Sequence, residues 1–74
     1  MRIYTITPIG RKIARSVYNS DEIGFKIIAF LDKVGSSTVE QIADYCGAGV
    51  GETASILGRL RRKRIVNEVM EVSP

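Results

Sequence analysis

One cysteine, Cys46, and no histidine leave this chain with no means of cross-linking itself. A disulfide framework needs paired cysteines, and a structural zinc site draws on cysteine and histidine. At 74 residues, folding buries only about 60% of the unfolded surface. Such burial barely exceeds the loss of chain entropy. The fold must therefore rest on close packing, or on a partner subunit. A hydrophobic fraction of 45% and no low-complexity tract predict a folded globule, read as one domain over residues 1–74.

The same inventory bears on chemistry. Histidine is the commonest general base and metal ligand. The chain holds no Ser/His or Cys/His pair and no glycine-rich phosphate loop after a strand. The expectation is a protein that is not an enzyme, with no cofactor, no metal and no evident small-molecule ligand. No apolar run approaches the ~18 residues of a membrane span, and the opening residues are not expected to act as a signal peptide. A cytoplasmic protein that does not enter the membrane is expected. The net charge of +3 permits nucleic acid as a partner without demanding it.

The chain opens with alternation. Arg2-Ile3-Tyr4-Thr5-Ile6-Thr7 suits a pleated surface, and a strand is expected there. Thr7-Pro8 then reads as a helix start: threonine caps through its hydroxyl, and proline tolerates the first helical position. Ile9, Ile13 and Val17 recur at four-residue spacing and predict the inward stripe of a helix running to about Tyr18. Arg11, Lys12 and Arg15 fall on the other side. This strand-helix unit spans 2–18.

A second helix is expected from Ser20, with Asp21 and Glu22 favourable beside its positive pole. Ile23, Ile27, Phe30, Leu31 and Val34 give it a wide apolar face, and Gly35 ends it. Ser37-Thr38-Val39-Glu40 matches a capping box for a third helix, with Val39, Ile42, Ala43 and Cys46 inward. Gly47 closes that helix. A fourth helix is expected over Val50 to Lys63, with Thr53, Ile56, Leu57 and Leu60 inward. Arg64-Ile65-Val66 returns to β character, continued by Val69 to Val72. Asn67-Glu68 is the candidate turn of a very short hairpin; the other reading is one continuous strand. The expected order is strand, four helices, strand (β-α-α-α-α-β), mainly α with a small β-sheet, in the α+β class.

Two helices joined by a short turn after Gly47 form a helix-turn-helix over about 38–63. The run Val39-Glu40-Gln41-Ile42-Ala43, Gly47, Leu57, Leu60 and Arg64-Ile65-Val66 resembles the winged helix-turn-helix family of small regulators. That resemblance implies double-stranded DNA as partner, with the fourth helix in the major groove. It implies a transcriptional regulator. Residue by residue, its outward positions fall on Gly49, Val50, Gly51, Ala54, Ser55, Gly58, Arg59 and Arg62. Base edges are usually met by long polar side chains. Here the first two turns offer Ser55, with Glu52 nearby, and cations come late. Arg59, Arg61, Arg62 and Lys63 are expected at phosphates, Ser55 and Gly51 at the groove, and Thr38 and Gln41 at the flanking backbone.

The family's wing is cut short. The opening Tyr4 to Arg11 resembles the segment that usually follows a wing, so the missing strand is expected from 2–7. It would pair with 64–72 either in the same subunit or across a homodimer, with Ile3, Tyr4, Ile6, Val69 and Val72 at the dimer interface. Arg59, Arg61, Arg62, Lys63 and Arg64 are five of the eleven basic residues. That density exceeds what a helix pole needs. A rival reading is a winged-helix protein-interaction module, in which the small strip Gly51, Ala54 and Gly58 packs on another protein.

Overall fold

The computed structural model describes residues 2–16 and 22–70. Strand β1 (Arg2–Ile6) leads into helix α1 (Pro8–Ser16), and helix α2 (Ile23–Val34) follows. A short strand β2 (Ser36–Thr38) precedes helices α3 (Val39–Cys46) and α4 (Val50–Arg62), and strand β3 (Val66–Met70) follows. The chain is mostly helical, with one small antiparallel sheet of order β2-β1-β3.

The N-terminal strand therefore lies at the centre of the sheet. It pairs with β3 over five residues, from Arg2 opposite Met70 to Ile6 opposite Val66. This pairing lies within one chain, so no strand exchange across a dimer is needed. Asn67 and Glu68 sit inside β3, which settles the alternatives in favour of one continuous strand. Tyr4 and Ile6, expected at a dimer interface, turn inward and are buried in the chain's own core. Val69 is exposed and pairs with the partly buried Ile3 on the outer face. Val72 lies outside the described residues.

Strand β2 is a correction to the expected order. Ser36-Ser37-Thr38 has no apolar alternation and reads locally as a cap. It becomes a strand because Ser37 and Thr38 stand opposite Tyr4 and Ile3. The capping box accordingly moves one residue along. Thr38 is the N-cap: its hydroxyl accepts from Gln41 N–H at 3.2 Å, and Gln41 Oε1 accepts from Thr38 N–H at 3.2 Å. Ser37 is buried and donates to the same Gln41 oxygen at 2.8 Å.

Helix α1 begins as its sequence predicts. Thr7 Oγ1 accepts from Gly10 N–H at 3.1 Å, with Pro8 in the first helical position. The inward stripe differs. Gly10 and Ala14 face the core, while Ile9 is 52% exposed. The helix sits too close to Ile6 and to the Ile65 carbonyl for a larger residue at position 10. The expected extension to Tyr18, with Val17 in the stripe, lies outside the described residues, as do Ser20 and Asp21. Helix α2 begins at Ile23 with Glu22 extended as its N-cap, so Glu22 stands before the first turn and not within it as expected.

Around α2 the core closes on Ile27, Leu31, Ile42, Leu57 and Val66, all with no more than trace exposure. Burying each such side chain stabilises by about 1.5–3 kcal/mol. Val34, expected inward, is exposed at the end of α2. Gly35 then closes that helix at φ 86°, its N–H bonded to Leu31 O.

Thr53 of α4 is fully buried, and its hydroxyl has no hydrogen-bond partner among the described residues. Its isostere lacks the polar group that burial penalises. Thr53→Val should therefore raise unfolding stability by about 1 kcal/mol, read as a higher denaturation midpoint at unchanged slope. A lower midpoint would show that the hydroxyl has a partner in solution.

Candidate nucleic-acid interface

Helices α3 and α4 are locked by the turn between them. Gly47 adopts a left-handed conformation at φ 66°, with its N–H on Asp44 O at 3.3 Å and Ala48 N–H on Ala43 O at 3.0 Å. This paired bonding ends a helix sharply and favours glycine, which has no Cβ to clash. Gly49 N-caps α4, and Glu52 stands in its first turn beside the positive pole.

The outward side of α4 is bare at its start and cationic at its end. Gly51, Ala54 and Ser55 are exposed. A Cβ added at Gly49, Gly51 or Gly58 would meet nothing within 4 Å, so packing within the chain does not require these glycines. Arg59, Arg62 and Lys63 are exposed, and none of them has an ion pair among the described residues. Glu22, Gly24, Ile56, Arg59, Leu60 and Lys63 border a shallow groove beside the start of α2.

Arg61 belongs to a different setting. Its guanidinium lies 3.9 Å from Glu68 Oε2 on β3, and Arg2 lies 3.9 Å from Oε1. The Tyr4 hydroxyl donates to the same carboxylate at 2.9 Å. Burial, with the Glu68 carboxylate beside it, holds the Tyr4 phenol above its ordinary range. Glu68 thus gathers Tyr4, Arg2 and Arg61 at the middle of the β1–β3 pairing and gives Arg61 an ion pair that Arg59, Arg62 and Lys63 lack among the described residues. No local signal in the sequence pairs residues 61 and 68 across the turn into β3.

Thr38 and Gln41 sit together at the start of α3, already engaged in the capping box. The Thr38 O–H and the Gln41 amide N–H₂ have no acceptor among the described residues. Glu40 and Asp44, one turn apart on α3, are exposed nearby and oppose phosphate. The second basic strip is also divided. Arg11 reaches Asp32 on α2, 3.2 Å to Oδ1 and 3.3 Å to the backbone carbonyl. Lys12 and Arg15 are exposed without an ion pair among the described residues.

Tyr45 stacks on Phe30 with ring centroids 4.4 Å apart. The two rings, with Val34, Ser37 and Asp44, border a surface groove of about 470 Å³ at the far end of α2. Cys46 is partly buried against the core, and burial pushes its thiol up. A thiol so placed is a weak nucleophile and packs as a small apolar group. Among the described residues no three His, Cys, Asp or Glu side chains gather where a metal could be held, and no helix is long and apolar enough to cross a membrane. No family model, no curated protein and no solved structure matches this chain.

Proposed function

We propose that the chain binds double-stranded DNA as a winged-helix protein and acts as an intracellular transcriptional regulator, with α4 in the major groove. The observation that carries this reading is the cationic end of α4: Arg59, Arg62 and Lys63 are exposed and unpaired among the described residues, on a helix fixed by the Gly47 turn. Such charges complement the negative pole of α4, but their number exceeds what the pole needs, and phosphates offer them counterion release. Strand β1 in the middle of the sheet supports the view that the N-terminus supplies the strand a shortened wing lacks. The binding is dominated by backbone and shape, because the outward side chains before Arg59 are small. Ser55 is the base-edge contact. Thr38 and Gln41 add donors at the flank, and Arg61 acts through the orientation of the helix end.

Titrating a labelled random-sequence duplex against salt tests this. With three or four phosphates neutralised, log K should fall against log salt with a slope of about −2.7 to −3.6. Undetectable affinity at low salt, or a flat dependence, would refute the reading. Sedimentation of the same complex reads stoichiometry, where a homodimer built on the outer sheet face at Ile3 and Val69 predicts two chains per duplex.

The open space around Gly51 and Gly58 favours one other reading, a surface that packs closely on another protein. A bulky Ala54→Leu change would then abolish a protein complex, while reversal of Arg59 and Arg62 would leave it intact.

A further inference from the structure

Helices α3 and α4 end in the same way, with one difference. At the end of α4, Arg64 N–H bonds Arg61 O at 3.0 Å and Ile65 N–H bonds Leu60 O at 3.0 Å. This is the bonding seen at Gly47, and it puts Arg64 in the left-handed conformation at φ 61°. Among the described residues Arg64 is the only non-glycine with positive φ. Glycine would adopt that conformation without the Cβ clash that arginine suffers.

The surrounding structure fixes this strained turn independently of the arginine side chain. Thr7 Oγ1 lies 2.7 Å from Arg64 O and 2.8 Å from Ile65 O, and Thr7 N–H bonds Ile65 O at 3.1 Å. Ile65 and Val66 are buried immediately after it. The backbone on both sides of Arg64 is therefore held, and the turn needs nothing from the guanidinium. That side chain is exposed, and it has neither a hydrogen bond nor an ion pair among the described residues. It follows directly in sequence on the exposed Arg62 and Lys63. Strain that persists because its surroundings over-determine it points to a role outside the fold.

We propose that Arg64 is a phosphate-contact residue for the duplex, presented from a rigid left-handed turn that glycine would make more stable. This rests on the DNA-binding reading above and adds to it a residue whose retention opposes stability. The row that meets the backbone is then Arg59, Arg62, Lys63 and Arg64, with Arg61 turned to Glu68.

Two variants separate strain from charge. Arg64→Gly removes both; Arg64→Gln keeps the strain and removes the charge. Arg64→Gly should raise the thermal midpoint by a few degrees, and Arg64→Gln should not. Both should weaken duplex binding roughly fivefold at low salt and make the log K against log salt slope shallower by about 1. Wild-type binding with unchanged affinity and slope in both variants would overturn this proposal alone. A lower midpoint for Arg64→Gly would overturn it as well, because the arginine would then be supporting the fold. Wild-type protein that fails to bind any duplex at low salt would overturn the DNA-binding reading and this one together.

Discussion

Gly10→Ala should lower the thermal midpoint by roughly 8–16 °C, even though alanine is the better helix former. The glycine lies inside α1, where alanine gains about 1 kcal/mol from propensity alone. Against that, a Cβ at position 10 would overlap the Ile65 carbonyl and stand 2.7 Å from Ile6 Cγ1. Neither neighbour can move easily. The carbonyl is held by Thr7 at two atoms, and Ile6 belongs to the central strand. Overpacking against backbone falls at the upper end of the usual range, about 3 kcal/mol. The net loss of about 2 kcal/mol gives the stated shift for a domain of this size. Gly58→Ala is the matched control, since a Cβ there meets open space. It should stabilise by roughly 0.5–1 kcal/mol. If both substitutions moved the midpoint the same way, close approach of α1 to β1 and β3 would not be the reason for Gly10.

Reversing the charge of Arg59 and Arg62 together should weaken duplex binding by two to three decades without unfolding the protein. Each reversal removes one attraction and adds one repulsion. At about 1 kcal/mol for each unit pair across a solvated 4 Å gap, the double variant loses about 4 kcal/mol. Both side chains are exposed and unpaired among the described residues, so stability should stay within roughly 0.5 kcal/mol. The informative comparison is Arg61→Glu. That change places a carboxylate beside Glu68 and should act on stability more than on the salt slope. Affinity that survives the double reversal would remove the α4 end from the interface and favour the protein-interaction reading.

What could be read from residue order was local. Helices α3 and α4, with the turn between them, follow from Gly47, the apolar spacing and a nearby cap, all within a few residues of what they control. Even there, the capping hydroxyl is Thr38 instead of Ser37. Ser37 is drawn into a sheet whose partner strand lies far away in the chain. The face of α1 was misread for a related reason. Isoleucines at 9 and 13 mark a stripe, and Ile13 does pack against the core, but the helix approaches β1 and β3 so closely that Gly10 and Ala14 form the closest contact and Ile9 is left exposed. A glycine carries no hydrophobic signal. The basic run at 59–64 was visible as composition, yet its division was not. Arg61 turns to Glu68, and Arg64 is set apart by a backbone angle, and both depend on how α4 enters β3.

The central position of β1 also determines when this protein can finish folding. Tyr4 meets Glu68 across 64 positions of sequence, whereas the contacts of α3 with α4 are nearly all local. Helices form and pair quickly, but a sheet that joins remote segments must first overcome loop-closure entropy. During synthesis the first strand waits, unpaired on its β3 side, until Val66 and its neighbours have emerged. A polar tyrosine edge and Arg2 lie on that waiting strand, which keeps it from being wholly apolar while it has no partner. The four helices made in the meantime carry Ile27, Leu31 and Leu57 of the core, which is complete only when Val66 joins Tyr4. The basic turn at Arg64 shares that dependence, because the carbonyls that fix it are bonded by Thr7 at the end of the same first strand.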